Sequence, residues 1–281
     1  MEKTGQNHAD IILDTWIPMD SAGHSSKGNQ WKWRREDRWY KVDHMGYEGL
    51  AETVVSRLMA FADGVSYVSY EPVRMEYKGK IYNGCSSRNF LQEDEELVTV
   101  EHLFRQYTGK SLSAEVGKIN GVKERILYLS GRIEENTGLK GFGIYLQKIL
   151  AVDAFFLNED RHTNNLAVIY RPWEKRYRFS PLFDHGLSLL SDTETDFPLG
   201  KPLEECLAEV EAKPFSRDFD EQLDAAEELY GCNVKFRFGK KEVENVLEEC
   251  GIYYSKETVE RVREILYGQM RKYRHMMDGK G

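Results

Sequence analysis

The sequence predicts an α+β protein with two lobes, a small β-rich N-terminal lobe and a mostly helical C-terminal lobe. Apolar and polar residues alternate through much of residues 1–91, whereas apolar residues recur at helical spacing through residues 98–281. An acidic stretch at residues 92–97 separates the two patterns, and we expect it to be an exposed hinge. A hairpin-like segment at residues 158–186 carries the acidic and amide side chains best suited to chemistry.

The strands of the N-terminal lobe surround a polar loop. Residues 11–13 are apolar and predict an opening strand, and residues 21–30 are small and polar, which is typical of a loop. The alternation in residues 31–33 and 39–42 predicts a hairpin. Its second strand carries Lys41.

One helix is expected in the N-terminal lobe. Apolar residues at helical spacing predict it over residues 46–62, where Glu48 and Glu52 lie one turn apart. The alternating residues 65–91 form a further predicted hairpin, which turns at residues 78–79.

The C-terminal lobe is expected to be helical around one hairpin. The helix over residues 141–157 is apolar enough to be the buried centre of the lobe, and it leads directly into residues 158–165. The other helices are predicted over residues 99–108, 112–136, 202–211, 216–230, 240–250 and 256–276.

Composition excludes several classes of protein. The 281 residues are 41% hydrophobic and 31% charged, as in an ordinary globular protein, and the net charge of −8 argues against a dedicated nucleic-acid binder. The chain has neither an apolar run of ~20 residues nor an apolar N-terminal signal core, so we expect a cytoplasmic protein without membrane association. A zinc knuckle is not expected, because no two of the cysteines form a CxxC pair: Cys85, Cys206, Cys232 and Cys250.

The hairpin at residues 158–186 predicts a metal site. Two apolar runs around the polar turn at residues 171–175 fold back on each other, which brings Asp160 and Asn165 beside Asp184. Carboxylate and amide oxygens are the ligands that Mg²⁺ prefers.

Phosphoryl transfer requires four parts, and the chain has a candidate for each. Asp160 can orient or deprotonate the accepting hydroxyl, while Asn165 and Asp184 hold the metal. Lys41 can hold the nucleotide phosphates, and the loop at residues 23–28 can cover them.

Each of these residues also has a purely structural interpretation. Asp160 and Asn165 are common turn formers, and most lysines are solvated surface groups. Either Glu48 or Glu52 could pair with Lys41, or both could form a charged helix face. The loop at residues 23–28 lacks both GxGxxG and the Walker pattern.

Several of these segments resemble the HipA-like serine/threonine kinases of bacteria, which are relatives of protein and phosphatidylinositol kinases. The sequence DRHTNN at residues 160–165 is similar to the catalytic loop of that superfamily, and DHG at 184–186 resembles its metal-binding Asp-Phe-Gly element. WYKV at 39–42 looks like the strand with the ATP-binding lysine, and AKPF at 212–215 is similar to the lower-lobe sequence of small HipA-like proteins. The resemblance extends over most of the chain from about residue 23.

The resemblance implies a two-lobed protein-kinase-like fold and specific roles at the site. Asp160 would be the catalytic base, with Asn165 and Asp184 as the Mg²⁺ ligands. Lys41 would anchor the ATP phosphates, paired with Glu52 or with Glu48. The remaining candidates are His162, which would brace the catalytic loop or satisfy backbone groups near it, and the phosphate-loop residues Ser25, Ser26 and Gly28.

The resemblance also implies an activity. The chain would be an ATP- and Mg²⁺-dependent kinase that phosphorylates Ser or Thr of a protein, with an antitoxin-like regulator as a candidate partner. Autophosphorylation at Ser25 or Ser26 would add nearly two negative charges beside ATP and switch the enzyme off. Because the chain is shorter than full-length HipA proteins, we expect it to lack their extra N-terminal domain that forms complexes with DNA.

Three alternatives remain open at this point. The same core could phosphorylate a small molecule or a lipid, since it accepts any hydroxyl. It could be a pseudokinase that binds partners without catalysis. It could also be a metal-dependent phosphohydrolase, whose ligands would be Asp160, His162, Asp184 and His185.

Overall fold

The computed structural model describes residues 9–13 and 30–278. The predicted phosphate-loop residues Ser25, Ser26 and Gly28 lie outside the described residues. No helix in the described part of the chain is long and apolar enough to cross a membrane.

The N-terminal part is a five-stranded sheet, with strands β1 Ile11–Ile12, β2 Lys32–Arg35, β3 Arg38–Val42, β4 Tyr70–Tyr77 and β5 Lys80–Arg88. Their order in the sheet is β1-β4-β5-β3-β2. Strand β1 runs parallel to β4, and the other pairs are antiparallel, so both predicted hairpins are confirmed. One face of the sheet has its own apolar cluster around Trp33 and Met75.

The predicted first helix, α1, extends over Glu48–Met59 and lies between the sheet and the helical lobe. Its apolar residues Leu50, Val54 and Leu58 are part of the main core of the helical lobe. Gly49 of α1 packs so closely on Gly84 of β5 that a Cβ at residue 49 would lie 2.5 Å from the backbone of Gly84. This close approach holds α1 against the strand beside Lys41.

The helical lobe is built around α5, whose residues Phe155 and Phe156 pack against Phe236 at centroid distances of 4.4 and 5.9 Å. A three-stranded sheet in the order β6-β7-β8 covers one side. The strands are β6 Glu96–Thr99, β7 Ala167–Arg171 and β8 Arg176–Phe179. The helices are α2 Val100–Thr108, α3 Leu112–Gly117, α4 Val122–Thr137, α5 Phe142–Phe156, α6 Leu203–Glu209, α7 Phe219–Tyr230, α8 Lys240–Cys250 and α9 Lys256–Lys272.

The prediction of one helix over residues 112–136 is wrong. The chain forms α3 and α4 with a turn at residues 118–121 between them. Gly121 adopts φ +89° there, a conformation that interrupts a helix and favours glycine. The apolar spacing continues across the turn, because both helices face the same core, and this continuity conceals the break.

The prediction that residues 92–97 are an exposed acidic hinge is wrong for Glu95. Its carboxylate is buried and forms ion pairs with Arg171 at 2.7 Å and Arg178 at 2.5 Å. Hydrogen bonds from Arg178 are the largest cause that lowers the pKa of Glu95 to about 2. Glu96 then begins β6, so this segment is fastened to the hairpin of the helical lobe.

Candidate active site

Lys41 lies in the middle of the sheet, where β3 pairs it with Cys85 of β5. Its ammonium group donates to Glu52 Oε1 at 2.6 Å and to Asp184 Oδ1 at 2.8 Å. The same group lies 5.4 Å from the ring centroid of Tyr70. A cation from the sheet therefore joins one carboxylate from α1 and one from the helical lobe.

The structure decides between the two glutamates of α1. Glu52 pairs with Lys41, and its second oxygen accepts the backbone N–H of His185 at 2.9 Å. Glu48 instead accepts the N–H groups of His44, Met45 and Gly46 just before the helix begins. Glu48 thus fastens the loop that precedes α1, whereas Glu52 joins both lobes at Lys41.

Asp184 has a left-handed backbone conformation, with φ +63°. Aspartate tolerates this region better than most residues, and such conformations cluster at functional sites. The adjacent His185 is buried, and its Nδ1 lies 3.9 Å from Asp153. Burial, with a further contribution from Arg161, lowers the pKa of His185 well below its usual value, so the imidazole is neutral.

The opposite charges of Lys41 and its two carboxylate partners, Glu52 and Asp184, stabilise one another. Burial is the largest contribution and lowers the pKa of Lys41, but the negative charges of Asp184 and Glu52 outweigh it and raise that pKa well above its usual value. Burial likewise opposes ionisation of Asp184, but the positive charges of Lys41 and Lys32 hold its pKa below the usual range. The Lys41–Asp184 pair is therefore charged at neutral pH.

Residues 158–165 form a loop that follows the left-handed end of α5 at Leu157, where φ is +55°. A bidentate ion pair between Arg161 of the loop and Asp153 of α5 anchors the loop, with N–O distances of 2.8 and 3.0 Å. Asn158 donates to the same carboxylate at 2.8 Å. Both partners of the ion pair are almost completely buried, so the loop has a fixed conformation.

Arg161 also connects the two halves of the candidate metal site. One of its nitrogens, Nη1, donates to the carbonyls of Asn165 at 2.9 Å and Phe183 at 3.1 Å. The backbone at Asn165 is thereby held next to the residue that precedes Asp184. This contact supports the convergence expected from the hairpin.

Asp160 and Asn165 lie in direct contact. The amide nitrogen of Asn165 donates to the backbone carbonyl of Asp160 at 2.9 Å and to its carboxylate at 3.2 Å. Because the amide nitrogen has these partners, the amide oxygen is the atom of Asn165 that can hold a cation. Asp184 and Asn165 thus offer hard oxygen donors that fit Mg²⁺.

His162 does not brace the loop through hydrogen bonds of its ring, since neither ring nitrogen has a hydrogen-bond partner among the described residues. Its Nε2 lies 3.7 Å from Asp160 Oδ2. The backbone of His162 does contribute to the loop conformation. Its N–H donates to the carbonyl of Asp160, and its carbonyl accepts the N–H of Asn165. Bracing by side-chain contacts is performed by Arg161.

Lys213 was missed as a candidate by the sequence reasoning. Its ammonium group lies 3.7 Å from Asp160 Oδ1, although the two residues are far apart in the chain. The segment between α6 and α7 that carries it is held by Gln222, which donates to the carbonyl of Lys213 at 3.2 Å, and by Arg125, which donates to that of Phe215 at 2.7 Å. The resemblance of AKPF was the one sequence signal for this region.

Comparison with known proteins identifies the fold. No family model matches the chain, and no curated protein matches its sequence. The structure is similar to the proinflammatory kinase CtkA of Helicobacter pylori, with a TM-score of 0.60 and 16% identity over 93% of this chain and 94% of that chain. It is also similar to a chain of the HipA, HipB and operator DNA complex, a toxin–antitoxin system of Shewanella oneidensis MR-1. There the TM-score is 0.50 and the identity 13%, over 94% of this chain and 67% of that chain.

The chain therefore has a HipA-like kinase fold, with a curled N-terminal sheet and a helical C-terminal region. The predicted fold class is confirmed. Since both sequence identities are low, the likeness defines the fold, and the chemistry has to be argued from the side chains.

Proposed function

We propose that this protein is an ATP- and Mg²⁺-dependent kinase that transfers the γ-phosphoryl group to Ser or Thr of a protein. The observation that carries the proposal is the Lys41 ammonium group, which lies 2.6 Å from Glu52 and 2.8 Å from Asp184. A lysine held by a helix glutamate beside a metal-binding aspartate is the arrangement that phosphoryl transfer in kinases requires. The kinase fold of the similar structures supports the same proposal.

In this proposal, Asp184 and Asn165 hold Mg²⁺, and Lys41 binds the α- and β-phosphates of ATP. When bound, the metal ion would neutralise charge on the phosphates. Asp160 accepts the proton of the acceptor hydroxyl as its oxygen bonds to the γ-phosphorus and ADP leaves. Lys213 beside Asp160 neutralises negative charge on the transferred group, and His162 lines the loop.

The geometry favours a kinase over the metal-dependent phosphohydrolase. Among the described residues, the groups of ligands close enough to share an ion are Glu159 with Asp192 and Asp196, and Glu227 with Cys232 and His275. The set required for the hydrolase is not among them. Lys41, held between Glu52 and Asp184, has a role in the kinase and none in the hydrolase.

The proposal also includes a mode of regulation, a candidate partner and a cellular location. Autophosphorylation at Ser25 or Ser26 would switch the enzyme off, and an alanine substitution at both positions would leave a constitutively active kinase. An antitoxin-like regulator is the candidate partner, because one of the similar structures is a toxin–antitoxin complex. We place the activity in the cytoplasm, where ATP is available.

The decisive experiment is self-labelling with γ-labelled ATP. We expect Mg²⁺-dependent label on Ser or Thr, detected by phosphoamino-acid analysis, and loss of roughly 1,000-fold or more in rate for Asp184→Asn. Asp224→Asn, an exposed aspartate of α7, is the matched control and should label normally.

Two results would contradict the proposal. Absence of nucleotide binding, measured by calorimetry with Mg²⁺ and ATP, would exclude every kinase interpretation. Release of phosphate from simple esters without ATP would favour the hydrolase instead. Transfer of label to a small molecule or lipid rather than to protein would keep the kinase and correct its substrate class.

A further inference from the structure

A group of metal-ligating side chains lies at a corner of the helical lobe and has no part in the proposed phosphoryl transfer. Glu227 lies on α7, Cys232 in the loop that follows, and His275 in the short 3₁₀ turn Arg274–Met276 near the C-terminal end of the described chain. One ligand atom from each, a carboxylate oxygen, Sγ and a ring nitrogen, lies within 4.8 Å of the others.

The backbone around this group is already fixed. The N–H of Asn233 donates to Gln147 of α5 at 3.1 Å, and the N–H of Phe236 donates to the carbonyl of Met276 at 2.8 Å. Lys235 Nζ also donates to the carbonyl of His275 at 2.6 Å. The loop after α7 and the C-terminal turn are therefore held side by side, and an ion could join their side chains without refolding either segment.

The spacing fits a tetrahedral metal ion. The carboxylate Oε2 of Glu227 lies 3.5 Å from Nε2 of His275. Tetrahedral bonds of about 2.0–2.1 Å to oxygen and nitrogen require ligand atoms about 3.3–3.4 Å apart, so the two are nearly in place. The other oxygen of Glu227, Oε1, is buried and accepts no hydrogen bond from the described residues.

The donor set indicates which metal. A thiolate, an imidazole and a carboxylate together suit Zn²⁺, whereas Mg²⁺ and Ca²⁺ prefer oxygen ligands alone. We propose that Glu227, Cys232 and His275 bind Zn²⁺, with solvent completing the coordination, and that the ion fastens the C-terminal turn to α7. The site is separate from the candidate active site in both its residues and its metal.

Electrostatics predicts how the site responds to pH. Burial first, and the charge of Glu227 second, raise the pKa of the Cys232 thiol. A divalent cation offsets both contributions, so binding replaces the thiol proton, which is released to solvent. Zinc affinity should consequently fall as pH decreases, because protons compete with the ion for the Cys232 thiolate.

The test uses the full chain without a histidine tag, after treatment with a chelator. Co²⁺ is the probe, since a cobalt–thiolate bond produces a charge-transfer absorption band in the near ultraviolet. We expect one equivalent of Co²⁺ to produce this band and one equivalent of Zn²⁺ to abolish it by displacement. Cys232→Ser should lose the band, and His275→Gln and Glu227→Gln should weaken binding by more than roughly tenfold.

Two matched controls make the assignment specific. Glu228→Gln changes the carboxylate next in sequence to Glu227, and His102→Gln changes an exposed histidine of α2. Both should bind Co²⁺ as the unchanged protein does. A band of equal intensity in Cys232→Ser, or equal zinc affinity in all variants, would mean an adventitious ion only and would overturn the proposal.

A measurement on the unchanged protein avoids dependence on the folding of variants. Alkylation of Cys232 by iodoacetamide, followed by peptide mass spectrometry, should slow at least roughly tenfold when one equivalent of Zn²⁺ is bound. Equal alkylation rates with and without Zn²⁺ would contradict a zinc–Cys232 bond. Because no ATP is present, either result leaves the proposed kinase activity untouched.

Discussion

Two ion networks lie next to each other in this protein, and they are built differently. Arg161 and Asp153 are eight residues apart and almost completely buried, and the guanidinium donates to one carboxylate and two carbonyls. Lys41 and Asp184 are 143 residues apart and join the sheet to the helical lobe. The side chain of Asp184 is 26% exposed.

The difference indicates that the Arg161 network supports the fold, whereas the Lys41 network is available for chemistry. The Arg161 network is closed, since its charges have partners within the fold, and it fixes the conformation of residues 158–165. In the Lys41 network one cation is shared between Glu52 and Asp184, and the carboxylate of Asp184 is accessible to solvent. A phosphate and its metal ion can therefore replace one of these contacts without leaving a buried charge unpaired.

The largest effect on stability is expected from Arg161→Met. This change leaves the buried Asp153 carboxylate without its ion-pair partner, which should lower the free energy of unfolding by about 3–5 kcal/mol, measured by urea denaturation. The double variant Arg161→Met with Asp153→Leu should recover part of that loss, because the carbonyls of Asn165 and Phe183 still lack their donor. If the double variant is as unstable as the single one, the network does not act as a closed pair.

Glu52→Gln should affect the phosphorylation rate more than the stability. Lys41 keeps Asp184 as a partner, but the new amide has one acceptor oxygen for two donors, Lys41 and the His185 N–H, so the free energy of unfolding should fall by about 1–3 kcal/mol. The phosphorylation rate should fall by roughly 100-fold, because Lys41 is no longer positioned. Glu48→Gln is the matched control on the same helix. It should lower the free energy of unfolding by about 1 kcal/mol, through its hydrogen bonds to the loop before α1, and leave the rate constant of the folded protein unchanged. Equal rates for the two variants would remove Glu52 from the proposed site.

Lys213→Met tests whether the second cation belongs to the chemistry. We expect kcat to fall roughly tenfold, about 1.4 kcal/mol, with unchanged ATP affinity, because Lys213 lies beside Asp160 rather than Lys41. Lys213→Arg should restore part of the rate. A change in ATP affinity with constant kcat would instead assign Lys213 to nucleotide binding.

The smallest effect on stability is expected for Glu95→Gln, in the segment between the two lobes. The pKa of Glu95 is lowered from 4.5 to about 2, so its ion pairs stabilise the fold fully above pH ~4.5 and lose this contribution as pH falls towards 2. After allowance for the partly exposed arginines, the loss at pH 7 should be about 1 kcal/mol. The difference between the two proteins should vanish towards pH 2, whereas Glu96→Gln, at an exposed position, should leave the stability at pH 7 unchanged.

Local sequence patterns predicted most of the elements. The alternation around residues 78–79 and the apolar stripe of α1 gave both the hairpin and the helix, because each pattern has the period of its own element. The pairing of Asp160 with Asn165 was also accessible, since the two residues are five apart in one loop. The break between α3 and α4 was not, because Gly121 interrupts the backbone without interrupting the apolar spacing.

The sequence by itself determined the two-lobed α+β class, the order of the candidate residues and the loop at residues 158–165. The tertiary structure decided the contacts between distant segments: Glu52 rather than Glu48 beside Lys41, Arg161 rather than His162 as the brace, and Lys213 beside Asp160. The burial of Glu95 belongs to the same group. The physical reason is that periodicity records which face of an element is buried, whereas ion pairs depend on which elements the fold brings together.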